Sequence, residues 1–203
     1  MAGRWVEVDP ERLDRWLAGF AERHGGSYTA DGLLLTGADG TTAELTPPPG
    51  VGPSADVPSL CAAARADRPL GLLLVRRGGY AVGTAVGGVL QQSKVDSRYV
   101  QSRTAAGGWS QQRFARRRDN QARALAGDAA EVAVRLLLPV RDRLAALVTG
   151  GDRRLVDDVL ADQRLAALRP LRADRFLDVA DPRLAVLQAA VRAARAVRIR
   201  LSD

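Results

Sequence analysis

The sequence predicts an α/β protein with a mixed β-sheet flanked by helices. Short apolar runs bounded by glycine and aspartate crowd the first hundred residues, the signature of strands and hairpins. One long helical pattern begins near Ser110 and is followed by strands alternating with helices. Clustered strands followed by a β–α–β order require antiparallel and parallel pairing in the same architecture. At 203 residues and 46% hydrophobic content, the chain suits a single domain spanning 1–203 with an ample core.

The elements follow in order. DPERLDRWLAGFAERHGG starts with Asp-Pro, carries Leu13, Trp16, Leu17 and Phe20 at helical spacing, and stops at Gly25. GLLLTGADGTTAEL places two apolar runs around a Gly/Asp turn and predicts a β-hairpin. TPPPGVGPSADVP holds five of the ten prolines, so residues 46–59 are expected to form a surface loop. A short alanine-rich helix around Cys61 comes next, then two strands in LGLLLVRRGGYAVGTAV across an Arg-Gly-Gly turn, and one or two more in VLQQSKVDSRYVQSR. The long helix is expected from about Ser110 to Leu138, ended by Pro139, with Phe114, Ala122, Leu125, Ala129, Val132 and Leu136 on one stripe. Gly127 interrupts it, suggesting a bend or a close packing contact. LAALVTGG reads as a buried strand, RRLVDDVLADQRLAALR as a helix and RFLDVAD as a strand. PRLAVLQAAVRAARAVRIR reads as a closing helix with Pro182 at its favoured start.

Composition excludes several kinds of chemistry. Cys61 and His24 are each the only residue of their type, so neither an internal disulfide nor a zinc cluster can be assembled, and no metal or cofactor is expected. A Ser–His–Asp triad would have to recruit His24 from the end of the first helix. No run of eighteen apolar residues occurs, which points to a cytoplasmic protein without a membrane partner, expected to be monomeric. GTAVGG lacks the Lys-Ser/Thr of a phosphate-binding loop and the spacing of a dinucleotide fold, leaving strand glycines at a turn. Asp157 and Asp158 are adjacent on a helix and point apart, which suits a solvated face better than a shared metal.

Charge is more informative. The net charge is +7, and Lys94 is the only lysine. Between Lys94 and Arg123 stand Lys94, Arg98, Arg103, Arg113, Arg116, Arg117, Arg118 and Arg123 against only Asp96 and Asp119. Five arginines without an acid lie between Arg183 and Arg200, and the rest of the chain is net acidic. Concentrated positive charge suits a polyanionic partner. The C-terminal arginines read either as the wet side of a helix or as a second RNA contact.

Inside the first basic cluster lies RTAAGGWSQQRFARRR, an uncharged glycine tip followed by arginines. Three readings stand open from the residues. Ser110 could cap a helix with solvated arginines behind it. The segment could be a noncatalytic RNA-binding module, with Arg116, Arg117 and Arg118 on phosphates and Trp109 stacked on a base. Or it could be an enzyme whose reactive centre is largely supplied by RNA.

Gly108-Trp109-Ser110-Gln111, in a loop feeding a long basic helix, resembles the GxxQ motif of the VLRF family. These are release-factor-like peptidyl-tRNA hydrolases of ribosome-associated quality control, and the chain is most similar to their compact actinobacterial branch. The family is related to the middle domain of eukaryotic and archaeal class-one release factors, which carries Gly-Gly-Gln in the equivalent place. The resemblance is clearest from Gly71 to Pro139. Here Trp109-Ser110 separates Gly107-Gly108 from Gln111, and Gln112 is a neighbouring candidate that does not fit the family spacing.

The resemblance implies a release-factor middle-domain-like fold with a catalytic loop leading into the basic helix. It implies hydrolysis of the peptidyl-tRNA ester on stalled large ribosomal subunits, with rRNA and P-site peptidyl-tRNA as partners. Gln111 would be catalytic, on a loop of Gly107, Gly108, Trp109 and Ser110. Lys94, Arg98, Arg103, Arg113, Arg116, Arg117 and Arg118 would bind RNA. The alternatives are a noncatalytic rRNA- or tRNA-binding ribosome-associated factor and, more remotely, a nuclease acting on tRNA. A metal nuclease would need carboxylates converging on the basic patch, where only Asp96 and Asp119 are found.

Overall fold

The structure, a computed structural model, describes residues 3–97 and 110–202, with backbone alone for 110–119. The architecture is mixed α/β, with two five-stranded sheets flanked by helices. It gathers into two compact units, Met1–Arg68 with Arg192–Asp203, and Pro69–Val191.

In the first unit the strands are β1 (Arg4–Val8), β2 (Tyr28–Asp31), β3 (Leu34–Gly37), β4 (Thr42–Thr46) and β10 (Val197–Ser202), ordered β1-β10-β4-β3-β2 and all antiparallel. Register sorts the side chains. Val6, Ile199 and Leu45 form one cross-strand row facing the core, and Trp5, Arg200 and Glu44 form the next row on the other face. Helices α1 (Leu13–Arg23) and α2 (Val57–Arg65) supply Leu13, Leu17, Phe20, Leu60, Cys61 and Ala64 to the same core. α2 starts with a capping box, in which the Asp56 carboxylate accepts from the Ser59 amide and Ser59 Oγ accepts from the Asp56 amide.

Within the proline-rich stretch Pro48 and Pro49 are buried. The Pro49 carbonyl accepts from Arg68 Nε at 3.0 Å, and Arg68 Nη1 donates to the last-turn carbonyl of Ala64 at 2.9 Å. The fixed guanidinium fork thus ties the loop to the end of α2. Burial pulls the Arg68 pKa downward, the cost of removing that charge from water.

The second unit holds β5 (Leu70–Arg76), β6 (Gly79–Val86), β7 (Val89–Ser97), β8 (Ala146–Gly151) and β9 (Arg172–Leu177), ordered β7-β6-β5-β8-β9. β5, β6 and β7 form an antiparallel meander, whereas β8 is parallel to β5 and β9 is parallel to β8, so the sheet is mixed as the element order predicts. Gly87 and Gly88 both have positive φ at the β6–β7 turn, the backbone that a tight two-residue hairpin demands. The turn reading of GTAVGG therefore holds.

Helices α3 (Ser110–Leu136) and α4 (Arg153–Leu160) pack on one face of this sheet. There Leu73, Val75, Tyr80 and Val82 meet Leu125, Ala129, Ala133, Leu137, Val156 and Val159. On the opposite face Gly83 lies against Leu187 of α5 (Leu184–Arg195).

Several sequence expectations need correction. The buried stripe of α3 is richer in alanine than expected, adding Ala126, Ala130 and Ala133. Such small side chains let a helix lie close to a sheet. The α-helix ends at Leu136, and Leu138–Arg143 continues as a 3-10 helix with Pro139 in its first turn, where its missing N–H costs nothing. A Cβ on Gly127 would meet no atom within 4 Å, so that glycine serves no close contact. The predicted helix over 153–169 is α4 plus a 3-10 helix, Gln163–Leu171. The closing helix stops at Arg195, and the residues after it form β10. Since that helix begins at Leu184, Pro182 lies ahead of it instead of in its first turn. Strands β1 and β2 are additional.

Candidate functional site

The segment singled out by sequence joins the sheet edge to the long helix. β7 is an edge strand with exposed residues from Gln91 to Lys94. Register pairs Lys94 with Val82 and Asp96 with Tyr80, and both of those partners belong to the core beneath α3. Because paired residues share a face, Lys94 is exposed on the helix-bearing side of the sheet. β7 ends at Ser97 and α3 begins at Ser110, so the twelve intervening positions bridge an edge strand and a helix N-terminus.

Gln111 is the second residue of α3, on the helix itself, with Ser110 as the first. Arg113, Arg116, Arg117 and Arg118 follow within the next two turns of the same helix. Arg113, Arg116 and Arg117 stand at i, i+3 and i+4, the spacing of one helical side. The side chains of residues 110–119 lie outside the described residues, as do Arg98, Arg103, Gly107, Gly108 and Trp109 altogether. Ala122 is the first described residue of α3 that packs against the core, about 18 Å of helix beyond Ser110.

The set-aside groups have structural partners. His24 Nδ1 lies 2.9 Å from Asp39 Oδ2, and its ring packs 4.6 Å from Phe20. That hydrogen bond holds the Asp39 carboxyl below its ordinary pKa, helped by the Thr41 amide. Asp157 pairs with Arg172 at 2.6 Å. Three of the five C-terminal arginines have local partners. Arg195 pairs with Glu11 at 2.8 Å, Arg200 with Glu44 at 2.8 Å, and Arg198 stacks over Trp5. Arg198 and Arg200 are strand residues, not the wet side of a helix. Among the described residues no cluster of three or more His, Cys, Asp or Glu could hold a metal, and no helix is long and apolar enough to cross a membrane.

A family model described as the Actinobacteria/chloroflexi VLRF1 release factor, acVLRF1, matches residues 68–200. The chain belongs to this family. The match covers the whole second sheet, the span from β7 to α3 with Gly108-Trp109-Ser110-Gln111, and most of β10. It therefore extends well beyond the Gly71–Pro139 stretch where the resemblance is clearest. No curated protein matches the chain.

Two of the solved structures similar to the chain are archaeal. The crystal structure of an archaeal translation termination factor, aRF1, aligns with a TM-score of 0.44 and 20% identity, covering 62% of this chain and 34% of that one. A structure described as an archaeal protein aligns with a TM-score of 0.42 and 16% identity, covering 70% of this chain and 40% of the other. The acVLRF1 chain thus spans between a third and two fifths of the length of these structures.

Proposed function

We propose that this acVLRF1 protein hydrolyses the ester joining a nascent chain to P-site tRNA on stalled large ribosomal subunits, releasing the peptide in ribosome rescue. Membership of a release-factor family across residues 68–200 is the observation that carries the reading. The position of Gln111 supports it. The first four N–H groups of an α-helix have no intrahelical partner, and the helix dipole makes that end positive. Gln111, second in α3, contributes one of those donors.

Ester hydrolysis needs a positioned water and donors aimed at the charge that develops on the carbonyl and leaving oxygens. In this reading the Gln111 N–H or carboxamide donates to that charge, and its side chain orients or screens the water. Neither role requires a titrating group. Gly107 and Gly108 give the tip the backbone freedom to enter an rRNA-lined centre. Lys94, Arg98, Arg103, Arg113 and Arg116 to Arg118 hold rRNA and tRNA phosphates and so orient the tip. The protein would act in the cytoplasm with no cofactor.

The test is release of nascent chain from stalled 50S–peptidyl-tRNA complexes by wild type and Gln111→Ala side by side. Loss of at least about 100-fold in release rate is expected, the scale of removing one oxyanion donor, with sedimentation on the subunit unchanged. Full release by the variant would overturn the catalytic assignment and leave a noncatalytic ribosome-binding factor.

A further inference from the structure

At one end of the second sheet, three other stretches of chain meet the β5–β6 turn at Arg77-Gly78. The Asp152 amide, which follows β8, donates to the Val75 carbonyl at 2.7 Å. Beyond β9, the Val179 carbonyl accepts from Arg76 Nη1 at 2.6 Å, and Asp181 Oδ1 stands 4.0 Å from Arg76 Nε. A Cβ on Gly78 would lie 3.4 Å from the Asp181 carboxyl carbon, so that loop packs against the turn itself. On the other side Gly79 pairs with Ser97, the last residue of β7. The strand that leads to residues 98–109 therefore ends beside the same turn.

Arg77 in the turn, Arg154 in the first turn of α4 and Arg183 just ahead of α5 are all exposed. None of these three guanidinium groups has a hydrogen-bond or ion-pair partner among the described residues. Their neighbours differ: Arg76 is held by Val179 and Asp181, and Arg153 lies over the Phe176 ring. Two acids at this end are engaged as well. The Asp152 carboxylate accepts from the Arg154 and Leu155 amides at the start of α4, and Asp181 faces Arg76. Asp96 and Asp178 are then set against Arg77, Arg154, Arg183 and the exposed Lys94 of β7. Cations on separate loops, tied by backbone to one strand end and unused within the fold, form a surface for an outside anion.

We infer that Arg77, Arg154 and Arg183 form a second RNA grip, on backbone phosphates of the large ribosomal subunit, at the base of the 98–109 segment. The inference rests on the ribosomal reading above and adds contacts that α3 does not supply. Arginine suits the role because its planar fork meets two phosphate oxygens at once and stays charged. RNA is favoured over an acidic protein because the three arginines stand where β7 hands the chain to the segment proposed to meet rRNA. A grip on α3 alone holds the tip along one helix, and a second at the sheet end fixes its direction. The far end of the same sheet offers a matched contrast. Arg135 in the last turn of α3 and Arg143 before β8 are also exposed and without a side-chain partner among the described residues, but they lie where β5 and β8 begin.

The experiment is sedimentation of the full chain with purified 50S subunits across salt concentrations, with nascent-chain release measured in parallel. Arg77, Arg154 and Arg183 replaced together by alanine should weaken binding at least about tenfold and lower the salt slope by about 2–3. The same three replaced by lysine keep the charge and should restore the slope, with affinity still below wild type because the fork is lost. That rescue separates lost contact from lost fold. Arg135→Ala with Arg143→Ala, at the far end, should leave affinity and slope unchanged. Wild-type affinity and slope in the alanine triple variant overturn the inference, as does a comparable loss per arginine in the far-end pair. Weaker binding with an unchanged slope also overturns it, since that is the mark of a contact other than phosphate. A triple variant that binds normally while wild type releases nascent chain defeats the grip and spares the hydrolase reading. Wild type that binds through these arginines without releasing does the reverse.

Discussion

Replacing Gly79 by alanine tests how the sheet delivers the chain to the 98–109 segment. Gly79 opens β6 and is paired with Arg76 on one side and Ser97 on the other. Its φ is +155, and a Cβ built there would lie 2.2 Å from the Asp96 carbonyl oxygen and 2.9 Å from Ser97 Cα. Ordinary carbon–oxygen contacts are about 3.3 Å, so the end of β7 must retreat by about 1 Å. The left-handed backbone costs about 1–3 kcal/mol for a side chain, and the overlap adds about 1–3 kcal/mol. A loss of about 3–4 kcal/mol is therefore expected in urea unfolding followed by circular dichroism. At a slope of about 2 kcal/mol per molar urea, the midpoint falls by roughly 1.5–2 M. Asp96 and Ser97 are the last residues of β7, so release should also drop under conditions where the variant stays folded. A placement error of about 1 Å can cost about 100-fold in rate. A variant within about 0.5 kcal/mol of wild type would refute the reasoning, because the clash is with backbone that no rotamer change can relieve.

The opposite sign is expected at Gly127, exposed in the middle of α3 with open space around its missing Cβ. Gly127→Ala should raise stability by about 0.5–1 kcal/mol in the same unfolding assay. Arg116, Arg117 and Arg118 replaced together by alanine should weaken binding to the 50S subunit and reduce its salt slope by about 2–3, measured by sedimentation across salt concentrations. The Asp162 carboxyl is held at a pKa of about 2, first by its hydrogen bonds from the Arg164 side chain and then by the Arg164 amide. A depressed folded-state pKa contributes stability that is present above the ordinary carboxylate value and is lost as pH falls through about 2. Melting temperature followed from pH 5 to pH 2 should therefore fall less steeply in Asp162→Asn than in wild type.

Elements with a strong local signal were legible in the sequence. The Asp-Pro start and the Leu13–Phe20 spacing specify α1, and apolar runs broken by Gly78–Gly79 and Gly87–Gly88 specify the β5–β6–β7 meander. What failed was decided by distant partners. VRIRLS continues a helical pattern locally, yet it forms β10 because β1 and β4 flank it and bury Val197 and Ile199. RWVEV, to which no element was assigned from the sequence, forms a strand through that same pairing. Gln111 and its arginines stand out in the sequence through motif and charge, and their role is a proposal. The β9 irregularity opposite Val148 was not legible, because it depends on which β8 residue each β9 residue meets. Thr149 in LAALVTGG looks like any strand threonine until its hydroxyl is found without a partner.

The two structural inputs to the proposed chemistry have different origins, and this constrains how the site can work. Position comes from the sheet: β6 fixes β7, and the alanine-lined base of α3 fixes the helix axis. Charge comes from the outer end of that helix, whose backbone starts at Ser110, well before Ala122 reaches the core. Substitutions at the base should therefore change release through stability and placement, and those among the arginines through affinity and its salt dependence. A substitution at Gln111 should change the rate alone. If alanine at Gln111 instead altered salt-dependent binding as strongly as the arginine triple variant does, the residue would be an anchor, and the division between a cationic grip and an uncharged reactive tip would fail.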